Sequence, residues 1–178
     1  MRYCYYDSPV GRLLLSADGG AITGLWIEGQ KYYADTLEPD SQETPEDPVL
    51  KAACAWLDRY FAGEKPPAKE LPLAPKGSAF RQEVWKLLCE IPYGEVLTYG
   101  EISRRIARKN HRETMSAQAV GQTVGHNPIS ILIPCHRVVG SSGSLTGYAA
   151  GIEKKIQLLE LEGAAMDGLF VPARGTAL

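Results

Sequence analysis

The chain has 178 residues and a formal net charge of -2, with 44% hydrophobic and 22% charged residues. This composition is ordinary for a globular protein of one or two domains and excludes a chain that is disordered throughout. No stretch approaches the roughly 20 apolar residues of a membrane-spanning helix, and the N-terminus lacks a secretory apolar segment, so we expect a cytoplasmic protein without membrane contact. Four widely spaced cysteines without a CxxC pair predict free thiols.

The charge is divided unevenly along the chain. Residues 1–75 carry 7 Lys+Arg against 12 Asp+Glu, whereas residues 76–178 carry 12 against 9. In the second half, five basic residues fall within nine positions that contain no acidic residue: Arg104, Arg105, Arg108, Lys109 and Arg112. Such a cluster indicates a phosphate-binding patch, but a solvated helix face is an equally good interpretation of the pattern alone.

The first 75 residues predict a small sheet followed by one helix. Residues 3–6, 12–16 and the stretch GGAITGLWIEG have the composition and flanking turns of strands. The stretch PVLKAACAWLDRYFAGE predicts a helix ended by Gly63, with apolar residues near helical spacing at Leu50, Ala53, Cys54, Leu57 and Phe61. The proline-rich stretch KPPAKELPLAPKG then predicts a linker, which divides the chain into domains 1–75 and 76–178.

The second domain is predicted to be mostly helical. SAFRQEVWKLLCEI forms an amphipathic helix whose apolar face holds Phe80, Val84, Leu87, Leu88 and Ile91, with Cys89 beside it as a structural residue. TYGEISRRIARK and MSAQAVGQTVGHNP predict two short helices joined by a turn, as in a helix-turn-helix. IEKKIQLLELEG predicts a last helix capped by Gly163, with Ile152, Ile156 and Leu159 inward.

One cysteine and one histidine are adjacent in the apolar stretch ISILIPCHRVVG, where ISILI is interpreted as a buried strand or extended segment that leads to Pro134 and Cys135. A positive field beside a thiol lowers its pKa and supplies the nucleophilic thiolate. Neighbouring side chains of a strand point to opposite faces, however, so direct contact between Cys135 and His136 requires a turn or a bridging water. On the dipeptide alone, a buried structural cysteine beside a hydrogen-bonded core histidine is the favoured interpretation.

The longer sequence pattern around Cys135 and His136 favours a catalytic role over a structural one. NPISILIPCHRVV, with GEVLTYGEI upstream and GYAAGIEKKIQLLELEG downstream, closely resembles the methylated-DNA–protein-cysteine methyltransferases, also called O6-alkylguanine-DNA alkyltransferases. The resemblance covers about residues 78–163. It implies an α+β fold, in which a small sheet-plus-helix, ribonuclease H-like domain precedes a mostly helical, winged helix-turn-helix-type alkyltransferase domain. It also implies double-stranded DNA containing O6-alkylguanine as the partner. We expect a monomer, because nothing in the chain calls for more than one copy, and no cofactor.

The resemblance implies a role for each residue of a candidate catalytic group. Cys135 takes the alkyl group from oxygen 6 of guanine and is never regenerated. His136 acts through a water as the base toward the thiol, and Glu162 orients that histidine, by the same logic as a hydrolase triad. Tyr99 donates a proton or hydrogen bond to the departing base, and Asn127 holds the loop near the cysteine. Pro134, Tyr148 and Ala149 are expected to line the alkyl pocket.

The resemblance also implies how DNA is held. The second helix, here Met115 to Gly125, enters the minor groove while the damaged nucleotide rotates out of the stack. Ala117, Ala119 and Gly121 are small enough for close approach. Gln118 stands where much of the family has an arginine that fills the space left by the flipped base, which predicts weaker binding or slower flipping. We assign phosphate contacts to Arg104, Arg105, Arg108, Lys109 and Arg112, and a structural role to Arg137.

Some family members bind zinc in the first domain through cysteine and histidine, but this domain contains Cys4, Cys54 and no histidine, which predicts no metal. Two other functions are compatible with parts of the sequence. A non-catalytic alkyl-lesion binding protein would lack the reactive cysteine, so Cys135 argues against it. A thiol hydrolase or peptidase would require an oxyanion hole and repeated turnover, and it would leave the helix pair and Tyr99 without a role.

Overall fold

The computed structural model describes residues 1–173, which divide into two compact units. The first unit contains residues 1–76 and 128–132, and the second contains residues 77–127 and the described residues from 133 onward. The short segment 128–132 therefore belongs to the first unit, although it lies in the middle of the second half of the chain. No helix among residues 1–173 is long and apolar enough to cross a membrane.

The first unit is built on a four-stranded sheet with the order β3-β2-β1-β4. The strands are β1 (Arg2–Ser8), β2 (Gly11–Asp18), β3 (Ala21–Ile27) and β4 (Gln42–Glu43). The first three pair antiparallel, and β4 pairs parallel to β1. Gly19 and Gly20, with φ of 55° and 81°, form the two-residue turn between β2 and β3. Positive φ at both positions matches the right-handed twist of a hairpin, which explains the paired glycines.

One helix, α1 (Pro48–Phe61), completes the first unit. Asp47 caps it by accepting the backbone N–H groups of Val49 and Leu50. The predicted helix is confirmed, but its buried face is shifted: Cys54 and Phe61 are only partly buried, while the buried residues are Leu50, Ala53, Trp56, Leu57 and Tyr60. The two large aromatic rings stack at 5.3 Å and remove more apolar surface from water than Cys54 and Phe61 would.

The second unit is mostly helical, and together with the sheet unit this confirms the α+β fold class. Its elements are α2 (Ala79–Leu88), β5 (Leu97–Thr98), α3 (Tyr99–Lys109), α4 (Ala117–Gly125), β6 (Val138–Val139) and α5 (Ile152–Leu161). Thr98 and Glu101 form a reciprocal capping box at the start of α3, and Ser116 caps α4. On α2, Trp85 is fully buried and its indole N–H donates to the Thr123 carbonyl at 2.9 Å, whereas Phe80 is half-buried.

The stretch ISILI was predicted to be a buried strand or extended segment; its burial is confirmed, but it is not a regular strand. It is fully buried, but a single bridge pairs Ile129 with Leu25, and Ile131 adopts φ of 70°. A left-handed backbone at a β-branched residue interrupts an extended strand. The segment therefore turns rather than continuing straight into Pro134.

Candidate active site

A tight turn carries the adjacent candidate residues Cys135 and His136. Residues Cys135–Arg137 form a single 3-10 turn that follows Pro134, and both Cys135 and His136 are buried. Successive residues of such a turn point in directions about 120° apart, not to opposite faces as in a strand. The backbone at Cys135 and His136 is therefore a turn and not a strand. It directs the Cys135 thiol toward Asn127 and the His136 ring toward Glu162.

Glu162 is the centre of a buried ionic cluster. Its carboxylate accepts from His136 Nε2 at 2.7 Å, from Arg137 Nε at 2.8 Å and Nη2 at 2.9 Å, and from the Gly94 backbone N–H at 3.2 Å. Burial by itself would raise the pKa of Glu162, but the hydrogen bonds and charges of His136 and Arg137 hold it well below its usual value. Glu162 is therefore an anion at neutral pH.

The backbone at the end of α5 places this carboxylate. Glu162 lies in the helix cap, one residue beyond α5, and Gly163 follows with φ of 68°. The N–H of Gly163 donates to the Glu160 carbonyl, and the N–H of Ala164 donates to the Leu159 carbonyl. This pair of bonds is a Schellman motif, which confirms the predicted glycine cap. The motif ends the helix so that the Glu162 side chain turns toward the 3-10 turn.

The protonation state of His136 follows from its surroundings. Burial lowers the pKa of His136, and the opposing effect of Glu162 does not restore it. The imidazole is therefore neutral at pH 7. Because ionised Glu162 can only accept a hydrogen bond, we assign the ring proton to Nε2, which leaves a lone pair on Nδ1. Nδ1 is buried and has no hydrogen-bond partner among the described residues, so it is available as a base.

The thiol of Cys135 is held by Asn127. The Asn127 amide nitrogen donates to Cys135 Sγ at 3.1 Å and to the Ile133 carbonyl at 2.7 Å. Burial raises the pKa of the Cys135 thiol; the Asn127 hydrogen bond, the Lys155 charge and two backbone N–H groups oppose this only partly. This direction is opposite to the one expected from the sequence. The resting thiol is protonated, so it needs a base at the moment of reaction.

Two tyrosines are influenced by the same sulfur. The Tyr99 hydroxyl donates to the Gly147 carbonyl at 3.1 Å, and burial together with Cys135 raises the pKa of Tyr99. Tyr148 lies edge-on to the His136 ring at 6.5 Å, and burial, Cys135 and Glu162 raise its pKa. The Tyr148 hydroxyl is buried without a hydrogen-bond partner in residues 1–173. Both phenols therefore remain proton donors at neutral pH.

Lys155 is a buried residue of this site that the sequence analysis missed. It lies on α5, is fully buried, and its ammonium donates to the carbonyls of Val138 and Thr146. Burial lowers the pKa of Lys155 to about 8, and the interaction with Cys135 acts in the opposite direction. One signal was visible: Lys155 is three residues from Ile152 and next to Ile156, on the predicted inward face of the helix.

This buried lysine predicts a pH-dependent stability. An unfolded lysine keeps its proton up to a pKa of about 10.5 and the folded one only to about 8, so the unfolded state binds more protons between these values. Raising the pH between these two values therefore stabilises the wild type. Lys155→Met lacks the amine and should not show this stabilisation. We expect the free energy of unfolding of the wild type, relative to Lys155→Met, to rise by about 2 kcal/mol from pH ~7 to ~9.5.

Urea unfolding of both proteins across this pH range measures the difference. Lys154→Met, at the adjacent half-exposed position, is the matched control and should keep the pH dependence of the wild type. A difference between wild type and Lys155→Met that stays constant with pH would contradict a buried, titrating amine.

The predicted DNA-binding residues lie on the two helices α3 and α4 and the loop between them. Exposed basic side chains occupy α3 at Arg104, Arg105, Arg108 and Lys109, and Arg112 is exposed after the helix ends. Lys109 is 3.7 Å from Glu83, so part of its charge is paired within the protein. On α4, Ala117 and Gln118 are exposed, and Ala119 and Gly121 are half-exposed.

The predicted pocket residues lie next to the reactive turn or to Tyr148. Pro134 immediately precedes the turn and is buried, as is Tyr148, whereas Ala149 is half-buried. Among residues 1–173, no three His, Cys, Asp or Glu side chains are grouped as ligands for a metal ion.

Comparison with known proteins places this arrangement in a family. Residues 1–75 match the family model described as "6-O-methylguanine DNA methyltransferase, ribonuclease-like domain". Residues 79–164 match the model described as "6-O-methylguanine DNA methyltransferase, DNA binding domain". Two family models, both described as domains of the same methyltransferase, thus match consecutive parts of the chain and together cover most of it.

Individual relatives agree with these matches. The methylated-DNA–protein-cysteine methyltransferase of Haemophilus influenzae is 44% identical over 90% of this chain and 85% of its own length. The protein of the same name from Methanosarcina acetivorans is 41% identical over 92% of this chain and 99% of its own. The crystal structure of Mycobacterium tuberculosis OGT in complex with DNA has a TM-score of 0.79 at 42% identity, covering 91% of this chain and 92% of that one. The chain belongs to the methylated-DNA–protein-cysteine methyltransferase family.

Proposed function

We propose that this protein repairs O6-alkylguanine in double-stranded DNA by a single, irreversible transfer of the alkyl group to Cys135. A bond forms between Cys135 Sγ and the alkyl carbon while the bond from that carbon to O6 breaks, and the restored guanine takes up a proton. The observation that carries this proposal is the buried series Asn127, Cys135, His136 and Glu162, joined by hydrogen bonds at the thiol and at the imidazole. A thioether is not a leaving group under these conditions, so the protein is consumed.

The proton of the thiol leaves through His136. A water between Cys135 and Nδ1 of His136 passes the proton to the ring, and Glu162 stabilises the imidazolium that forms. The raised pKa of Cys135 and the lowered pKa of His136 support a thiol and a neutral imidazole at rest. Negative charge on the Cys135 sulfur and positive charge on the His136 ring then develop only during the transfer, in the field of Glu162 and Lys155.

The remaining residues of the site hold the thiol and the departing base. Asn127 positions the sulfur, and Tyr99 donates to guanine as negative charge develops on it. Pro134, Tyr148 and Ala149 line the pocket for the alkyl group. The protonated state of Tyr99, whose pKa is raised by burial, supports its role as the donor.

DNA is held through α3 and α4. We propose that α4 enters the minor groove, where Ala117, Ala119 and Gly121 lie against the DNA backbone. Gln118 then occupies the gap left by the flipped nucleotide. The exposed arginines Arg104, Arg105, Arg108 and Arg112 would then neutralise phosphates in a salt-dependent way. One feature of Gly121 supports close approach: an added Cβ would meet no protein atom within 4 Å, so packing inside the protein does not require glycine there.

Gly121→Ala is therefore expected to have opposite effects on folding and on DNA binding. Gly121 is at the centre of α4, where alanine is favoured over glycine by roughly 0.5–1 kcal/mol. The free energy of unfolding should rise by that amount in a urea titration. Affinity for a duplex, measured by fluorescence anisotropy, should fall because the methyl group separates the helix from the groove. Unchanged affinity with raised stability would show that DNA does not approach α4 at this position.

We further propose that the protein works as a cytoplasmic monomer without a cofactor, with its domains divided after residue 75. The single-turnover reaction needs no regenerating group, and the free cysteines suit a reducing compartment. A protein that only senses lesions would have no use for a thiol held by Asn127 or for an adjacent buried histidine paired with Glu162. Cys135 and its partners thus favour repair over non-catalytic binding.

The proposal is tested by mass spectrometry of the intact protein and its peptides after mixing with a duplex that carries one O6-methylguanine. We expect one methyl group per protein on the peptide containing Cys135, with no further product when more duplex is added. The same duplex with unmodified guanine is the control. Binding of the lesion duplex without any change in protein mass would refute repair and favour the lesion-sensing function.

A further inference from the structure

A second pair of thiols lies in the first unit, and the repair chemistry does not use it. Cys4 lies on β1, opposite Leu15 of β2, and Cys54 lies on α1. The two Sγ atoms are 3.9 Å apart, although the residues are 50 positions apart in sequence. Cys4 is buried and Cys54 is only partly buried. Residues 1–76 contain no other cysteine.

The two sulfurs have different chemical character. The hydrogen bond between the two sulfurs lowers the pKa of Cys54. The same hydrogen bond, together with burial, raises the pKa of Cys4. The more accessible sulfur is therefore the better thiolate, and the enclosed sulfur keeps its proton. This is the arrangement in which an attacking thiolate is followed by a resolving thiol.

We propose that Cys4 and Cys54 form a reversible oxidation site, which a peroxide closes to a disulfide and a small dithiol reopens. The Cys54 thiolate attacks one oxygen of hydrogen peroxide, the O–O bond breaks, and hydroxide leaves, giving a sulfenic acid at Cys54. The Cys4 sulfur then attacks Cys54 Sγ, the S–O bond breaks, and the proton of Cys4 leaves with the hydroxyl group as water. The hydroxide from the first step takes up the proton that Cys54 released on ionising, so each sulfur is oxidised by one electron and one peroxide is reduced to two waters.

The geometry permits this closure with a local change. A disulfide has an S–S distance of about 2.05 Å, so the sulfurs must approach by roughly 1.9 Å. Cys4 is on β1, which is hydrogen-bonded to β2 on one side and to β4 on the other. The adjustment therefore falls to the two side chains and to α1. Partial exposure of Cys54 gives peroxide a route to the sulfur that reacts first.

Selectivity over the other two cysteines follows from their surroundings. Burial of its thiol raises the pKa of Cys89 to about 11, which disfavours the thiolate that reacts with peroxide, and Cys135 is buried against Asn127. Burial raises the pKa of Cys135, which slows its reaction with peroxide. The pair in the first unit should therefore be oxidised before the thiol that accepts the alkyl group.

The test treats the full chain with hydrogen peroxide, blocks free thiols, and maps the peptides by mass spectrometry. We expect a Cys4–Cys54 linked peptide, a mass lower by about 2 Da before blocking, and full reversal by dithiothreitol. In Cys4→Ser, a dimedone adduct should appear at Cys54 because the sulfenic acid has no resolving thiol. In Cys54→Ser, Cys4 should remain a free thiol.

Both variants should still accept one methyl group at Cys135, which shows that they are folded. Two results would overturn the proposal. One is oxidation of Cys89 or Cys135 in the wild type while Cys4 and Cys54 stay reduced. The other is oxidation of Cys54 to the sulfinic acid with Cys4 still free, since that would mean that the buried thiol does not resolve the intermediate.

Discussion

Cys135→Ser is expected to abolish alkyl transfer and to leave duplex binding intact. A serine hydroxyl has a far higher pKa than a thiol, and its oxygen is a much poorer nucleophile toward an alkyl carbon than sulfur, even with an imidazole as the base. The rate of transfer should fall on the order of a million-fold, which is below detection. The side chain of Cys135 is buried and adds little to any surface that meets DNA, so the affinity for duplex should not change.

The measurement combines methyl transfer, followed by peptide mass, with fluorescence anisotropy of a labelled duplex. Cys89→Ser is the matched control, because it removes an exposed cysteine of the same unit. It should transfer one methyl group at the wild-type rate. Appearance of the methyl group on another peptide of Cys135→Ser would show that Cys135 is not the acceptor.

Glu162→Gln is expected to weaken both the chemistry and the fold. The amide has the shape of the carboxylate but no charge, so it cannot stabilise the imidazolium of His136 as the proton arrives. Loss of the corresponding carboxylate from a catalytic triad costs about 10,000-fold, and we expect a fall in transfer rate on the order of 100- to 10,000-fold. Arg137 also loses its ionic partner in a buried setting, which costs about 3–5 kcal/mol of stability.

The stability effect should depend on pH in a defined direction. The folded-state pKa of Glu162 lies below its usual value of 4.5, so the carboxylate stabilises the fold above that pH and loses this contribution as the pH falls through the folded-state value. The difference in unfolding free energy between wild type and Glu162→Gln should therefore shrink on acidification below pH ~4.5.

Single-turnover transfer kinetics and urea unfolding at neutral and acidic pH measure these effects. Glu160→Gln, an exposed position on the same helix, is the control and should match the wild type in both. A Glu162→Gln protein that is folded and transfers methyl at the wild-type rate would remove Glu162 from the proposed proton path.

Local patterns were sufficient for most elements of the fold. Turn glycines, helical spacing of apolar residues and helix-terminating glycines act within a few positions, so they predict β1 to β3, the helices and the Gly163 cap. For ISILI, the β-branched composition predicted a buried strand or extended segment, but the turn at Ile131, where φ is positive, does not follow from composition. The buried face of α1 was misjudged because spacing does not say which of several apolar residues faces the sheet.

The PCHRV motif and its flanking segments by themselves determined the family and the candidate residues Cys135, His136, Glu162, Tyr99 and Asn127. Only the tertiary structure decided that the Cys135 thiol is protonated at rest, that Lys155 is buried beside it, and that Cys4 meets Cys54. The physical reason is the range of the interactions involved. A motif records residue types in order along the chain, whereas desolvation and contacts across 50 positions exist only after the chain has folded.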